Sequence, residues 1–231
     1  METGIVDVEN GYQVQEQLSA WSDGVVNRKK PFITLSREFG ASGWTLAQEL
    51  ENRLNQTETK YPWIAYNRDM ISQLAGDKQL SKELLKTLEK PVQNSITQFM
   101  ESVFSNIPSR SEIFYKTAGI IKRLAAHGHA IIVGLGGSII AKGMPEGFYV
   151  RTIAPFEQRV KRIAYLKNVT SHEAEKIVKK RELERDDFIK EYLETNVHDP
   201  HHFDLVINLA RTNSEQAATM IIEAMKARDM F

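Results

Sequence analysis

Apolar positions along the chain alternate between two rhythms. Phe32-Ile33-Thr34-Leu35-Ser36 is a short β-branched run, and after Gly40-Ala41-Ser42-Gly43 the apolar residues Leu46, Ala47, Leu50 and Leu54 fall on one helical face. Tyr61 to Tyr66 reads as a second strand with Pro62 at its entrance. Residues 67–128 carry helical patterns. Ser81 is expected to cap one helix, Pro91 to end or kink it, and Ile96, Phe99, Met100 and Val103 form a further stripe. Ser109 and Glu112 have capping-box spacing ahead of Ile113, Phe114 and Ile120. Ala130-Ile131-Ile132-Val133 is the strongest buried-strand signal and runs directly into Gly134-Leu135-Gly136-Gly137. Phe148 to Ile153 is the next strand. Pro155 opens a charged helical stretch to Leu193, which Thr170 and Glu173 divide into two helices. Asp204 to Asn208 is the last strand, and Thr212 with Glu215 is expected to cap a final helix bearing Ala217, Met220, Ile221 and Met225. Trp63, Tyr66 and Phe148 read as core.

This order of strands and helices predicts a parallel sheet covered on both faces. Ligands in such sheets bind beyond the carboxyl ends of the strands. Two glycine-bearing turns, 37–45 and 134–137, fall at such ends. Residues 1–30 read as a helical appendage, with Val14, Leu18 and Trp21 at helical spacing and Arg28-Lys29-Lys30-Pro31 as a hinge. The appendage is a candidate to pack on the domain or across a homodimer. Residues 31–231 then form one domain.

Composition narrows the class. Lys+Arg and Asp+Glu both number 30, so no global electrostatic footprint for nucleic acid exists. The chain has no cysteine, which excludes disulfides, thiolate metal sites and cysteine nucleophiles. No window approaches the roughly 18 unbroken apolar residues of a membrane helix, and residues 1–10 lack the pattern of a secretory leader. A cytoplasmic protein without membrane partners is expected.

The first turn carries the chemistry. A phosphate-binding loop needs inward backbone N–H groups, a helix N-terminus behind them and a hydroxyl for Mg²⁺. Gly40, Ala41, Ser42 and Gly43 can supply the cradle, and Thr45 stands where the metal-binding hydroxyl belongs. The pattern GxxxxGK[ST] is broken by Glu38 at its first glycine and Trp44 at its lysine. From the residues alone, a turn that merely joins strand to helix explains the pattern as well. Arg181 and Arg185 share one helical face, yet Glu173, Glu175, Glu182, Glu184, Asp186, Asp187 and Glu191 surround them, and a solvated helix laced with ion pairs is the favoured reading by pattern. His198, Asp199, His201 and His202 can be read as metal ligands, but Asp199-Pro200 more plainly marks a turn. Phe39 and Trp44 are candidates to stack on a base.

ITLSREFGASGWTLA resembles the opening of the cytidylate kinase-like family, relatives of the nucleoside monophosphate kinases. YPWIAYNRDMI, AIIVGLGGSII, IAPFEQRVKRI and HDPHHFDLVINLAR are similar to later family segments. The resemblance spans roughly residues 32–225. It implies a P-loop monophosphate-kinase fold, three-layered, with a parallel sheet of about five strands. It further implies acceptor-side helices over 67–128 and a lid over 157–195. The implied activity is transfer of the γ-phosphoryl group of ATP, with Mg²⁺, to CMP, dCMP or a related acceptor. Gly40, Ala41, Ser42, Gly43, Trp44 and Thr45 would then hold the donor, with Thr45 on Mg²⁺. Arg37, Arg162, Arg181 and Arg185 would neutralise charge, with Arg37 standing in for the absent lysine. Asn67, Arg68, Arg159 and the turn of Gly134, Gly136 and Gly137 would face the acceptor. Trp44, Leu135 and Asn67 stand where family members commonly carry charged groups, and each lost charge weakens transition-state stabilisation by about 10²–10³ in rate. An alternative expectation follows: a nucleotide-binding relative with little turnover, acting as a binding or regulatory protein.

Overall fold

Strands in parallel neighbours are reached only through crossover connections, and a sheet so built must bury both faces. The computed structural model describes residues 30–57, 61–86, 88, 90–104 and 111–231. Among the described residues are five strands and nine α-helices. The order is β1 (Phe32–Arg37), α1 (Gly43–Thr57), β2 (Ile64–Tyr66), α2 (Arg68–Gly76), α3 (Lys78–Lys86), α4 (Lys90–Phe104) and α5 (Glu112–His127). It continues with β3 (Ala130–Val133), α6 (Gly137–Ile140), β4 (Gly147–Ile153), α7 (Phe156–Lys167), α8 (Ser171–Leu193), β5 (Leu205–Asn208) and α9 (Ser214–Lys226).

All strand pairs are parallel, in the order β2-β3-β1-β4-β5. Register sets Ser36 beside Arg151 and Arg37 beside Thr152. The chain leaves β1 towards one edge of the sheet and leaves β3 towards the other. A crevice therefore opens at the carboxyl ends of these two neighbours, where the two glycine turns lie.

Pleat alternation splits the core into two layers. Phe32, Tyr66 and Ile132 pack with α2 and α5 on one face. Ile33, Leu35, Ile131, Val133, Phe148 and Val150 pack with α1 and α9 on the other. Leu46, Ala47, Leu50 and Leu54 of α1 are all buried, and so are Trp63, Tyr66 and Phe148. A small third cluster, Val160, Ile163, Ala174 and Val178, joins α7 to α8, with Phe39 of the β1 turn packed against it. The Thr170–Glu173 capping box that opens α8 forms in full.

Several local expectations are corrected. β2 begins only at Ile64. Ser81 lies inside α3, where its hydroxyl and carbonyl hold Arg123. Pro91 is the second residue of α4, so it opens a helix where a missing N–H costs nothing. Asn213 and Gln216, not Thr212 and Glu215, make the final capping box, because Asn213 sits immediately before the first helical residue. Met220 and Ile113 are 50% and 74% exposed, so neither belongs to the core. α5 starts after Ser111, which makes no side-chain cap; Ser109 lies outside the described residues, as do residues 1–29 and the side chains of Phe99 and Val103. No described helix is long and apolar enough to cross a membrane.

Candidate functional site

Residues 38–42 make the turn between β1 and α1. Gly40 has φ +88°, and a Cβ there would come within 3.1 Å of the Arg159 backbone oxygen, so glycine lets the turn press against α7. The Ser42 carbonyl accepts from Leu46 N at 3.2 Å. The N–H groups of Gly43, Trp44 and Thr45 thus belong to the first turn of α1, without intrahelical partners and at the positive end of the dipole. Glu38, in place of a consensus glycine, is a tie: its Oε2 accepts from Ala154 N at 2.9 Å and lies 3.4 Å from Arg159 Nε.

Arg37 crosses the crevice. A Cβ on Gly43 would lie 3.0 Å from its Cδ, and a Cβ on Gly134 would fall within its guanidinium. Arg37 therefore runs over the start of α1 and places its charge between the two glycine turns. Trp44, half-buried, packs on the α1–α9 core, and the atoms crowding Gly40 and Gly43 belong to Arg159 and Arg37. Thr45 is exposed, and its hydroxyl accepts from Arg162 Nη2 at 3.4 Å.

A ring of guanidinium groups and carboxylates surrounds this turn. Arg159, 6% exposed, donates to Ala154 O at 2.9 Å, to Phe39 O at 3.3 Å and to Glu182 at 2.7 Å. Arg185 donates to the Arg37 carbonyl at 2.6 Å and to Asp186 at 3.1 Å. Arg151 joins them from β4, donating to Ser36 Oγ at 3.1 Å. Burial, then the neighbouring Arg185, pulls the Arg151 pKa below its ordinary value, opposed by Glu38, Asp186 and Glu182. Burial raises the Asp186 carboxyl, but the hydrogen bond from His198 and the charge and hydrogen bond of Arg185 outweigh it and leave the group below its usual range. Arg181 stands apart, exposed and paired with Glu184 at 3.0 Å.

The second turn is built differently. Gly134, Leu135 and Gly136 have φ of +79°, +55° and +72°. Gly136 lies under Leu193 Cδ1, 2.6 Å from where a Cβ would stand, with Ile189 beside it. Gly137 sits on Ile132, and Ser138 bonds Thr34 at 2.8 Å. Phe114 stacks on Tyr192 with centroids 4.7 Å apart and meets Phe188 at 5.4 Å, closing α8 over α5. Asn67 caps α2 through Met70 N at 2.9 Å, and Arg68 is exposed.

The histidine cluster resolves into separate roles. Asp199 Oδ1 accepts from His201 N at 3.0 Å in a turn, His202 meets Thr195 Oγ1 at 3.0 Å, and His198 faces the arginine ring. Among the described residues no group of three or more His, Asp or Glu is placed to hold a metal ion. Of the groups around the β1 turn, sequence does not single out Arg151, and it marks Glu38 only as a break in the loop pattern, Glu182 and Asp186 only as helix charges and His198 only as a candidate metal ligand. Their partners lie far along the chain, and the one signal was an arginine inside an otherwise apolar strand.

A parallel sheet of this order, with a glycine turn, a helix N-terminus and a guanidinium at the end of its central strand, defines an α/β protein of the P-loop kinase kind. The sequence profile of the cytidylate kinase-like family matches residues 32–211, and the chain belongs to that family. A solved structure of an uncharacterized protein from Eubacterium ventriosum ATCC 27560 shares the fold, with TM-score 0.67 and 21% identity over 86% of this chain and 99% of that one. TT1252 from Thermus thermophilus is more distant, with TM-score 0.41 and 14% identity over 87% of this chain and 98% of that one. No curated protein matches the chain.

Proposed function

We propose that the protein is an ATP-dependent nucleoside monophosphate kinase of the cytidylate type, acting on CMP, dCMP or a related acceptor. One observation carries the reading: Arg37 lies across Gly43 and brings its charge over Gly134, between the two turns that would hold donor and acceptor. Phosphoryl transfer asks the protein for positioning and for cations around the transferred group rather than for covalent participation. The amides of α1's first turn and Arg37 would hold the donor phosphates. Arg162 and Arg185 would neutralise charge from α7 and α8, with Glu182 and Asp186 orienting the guanidinium groups until phosphate arrives. An acceptor phosphate oxygen would attack the γ-phosphorus as the bond to the β-phosphate oxygen breaks, releasing ADP. Mg²⁺ accompanying ATP fits the exposed Thr45 hydroxyl, a hard oxygen donor to which phosphate oxygens and waters would be added; when bound it would neutralise phosphate charge.

A second reading has its own support. The acceptor turn is roofed by Leu193 and Ile189, and Asn67 is engaged as a helix cap. These features favour a relative that binds nucleotide with little turnover. Calorimetric titration of ATP, with and without Mg²⁺, should give micromolar binding. A coupled assay across CMP, dCMP, UMP and AMP then separates the readings: ATP binding without consumption of any monophosphate overturns the kinase.

A further inference from the structure

A buried guanidinium ordinarily faces a carboxylate, because an uncompensated interior charge is costly. Arg151 departs from that rule. It is 3% exposed, and among the described residues its hydrogen-bond partners include no carboxylate: they are Ser36 Oγ at 3.1 Å and His198 Nδ1 at 3.0 Å, with the Phe203 ring 5.6 Å away. His198 Nε2 in turn lies 2.9 Å from Asp186 Oδ2 on α8. Donor and acceptor roles then follow from chemistry. A guanidinium only donates, so Nδ1 must accept; an ionised carboxylate only accepts, so Nε2 must carry the proton. A second ring proton would aim an N–H at the Arg151 N–H. Asp186 also accepts from Arg185, which donates to the Arg37 carbonyl at 2.6 Å. The path from Ser36 through Arg151, His198, Asp186 and Arg185 returns to Arg37, the next residue, and closes a circuit between β1, β4, α8 and the 194–199 loop.

We propose that His198 is the positioning residue of this circuit: a neutral imidazole, protonated on Nε2, that links the Asp186 charge to buried Arg151 and so holds Arg185 over the end of β1. Only the ATP arm of the test rests on the nucleotide reading above. Nitrogen-detected NMR of the His198 ring at neutral pH should show one neutral form with the proton on Nε2. His198 is 46% exposed, so His198→Leu and His198→Gln leave the core intact. The glutamine amide can accept from Arg151 and donate to Asp186; leucine can do neither. His198→Leu should speed amide exchange across residues 182–193 about tenfold and raise the Kd for ATP about tenfold, while His198→Gln stays near wild type in both. A proton on Nδ1, a doubly protonated ring, or equal behaviour of the two variants overturns the proposal. If the wild-type chain binds no ATP, the nucleotide reading fails and the ring spectrum and exchange rates decide the positioning role alone.

Discussion

The two glycine turns share a backbone plan and differ in everything around it. Each follows a buried strand, uses positive φ, and leads into a helix. The β1 turn is wrapped by Arg37, Arg159, Arg162 and Arg185 with Glu38, Glu182 and Asp186 as internal counter-ions. The β3 turn meets the Arg37 guanidinium on one side and hydrocarbon from Leu193, Ile189 and Ile132 on the other. The same backbone shape thus sits in two settings: distant elements bring guanidinium groups and carboxylates to the β1 turn and mainly hydrocarbon to the β3 turn.

The sharpest break of this contrast is Arg37→Ala, which removes the cation from the crevice while leaving the strand pairing intact. The Kd for ATP should rise about 100-fold or more, equivalent to about 3 kcal/mol; calorimetry with unchanged affinity would place the phosphate site elsewhere. Gly134→Ala and Gly136→Ala form a matched pair. Both impose positive φ on alanine and should lower unfolding free energy by about 1–3 kcal/mol in urea titrations. Only Gly134→Ala displaces the Arg37 guanidinium, so only it should weaken ATP binding; equal losses would erase the difference between the turns. Leu135→Arg returns a cation to the second turn and should raise kcat/KM for the monophosphate about tenfold with ATP affinity unchanged. The smallest effect concerns Asp186. Its folded carboxyl lies below the ordinary value, so it stabilises the fold above the unfolded pKa, and that contribution is lost as pH falls through the folded one. Urea midpoints of the wild type and Asp186→Asn should therefore converge on acidification below the usual aspartate range; a gap independent of pH would remove the ionised partner from the circuit.

Much of the fold was legible because its signals are local. The run Ala130–Val133, the stripe Leu46, Ala47, Leu50 and Leu54, and the Thr170–Glu173 box each depend on a few neighbouring residues. Capping was misread where tertiary partners intervene: Ser81 serves Arg123, 42 residues away. Pro91 was misread because a proline that ends one helix and a proline that starts the next look alike without the boundary. The β1 turn could be found from its glycines, and the family resemblance named Arg37, Arg159, Arg162 and Arg185, but Arg151 and the pairing of these guanidinium groups with Glu38, Glu182 and Asp186 could not be read. Arg185 meets the Arg37 carbonyl across 148 residues and Arg151 meets Ser36 across 115. An arginine in a strand pattern gives no sign of whether it faces solvent or a buried hydroxyl.

Helix α8 spans 23 residues, or about 34 Å. Its far half is fixed to α7 by the small Val160–Val178 cluster, and its near half stands on the aromatic foot of Phe114, Phe188 and Tyr192. With α7 carried along by that cluster, such a rod is a lever with its fulcrum at the aromatic end. A tilt of about 10° at the aromatic foot would sweep the tip, roughly 27 Å away, through about 5 Å. Repacking three rings on α5 and α8 would thereby be converted into displacement of a whole helix surface laced with ion pairs.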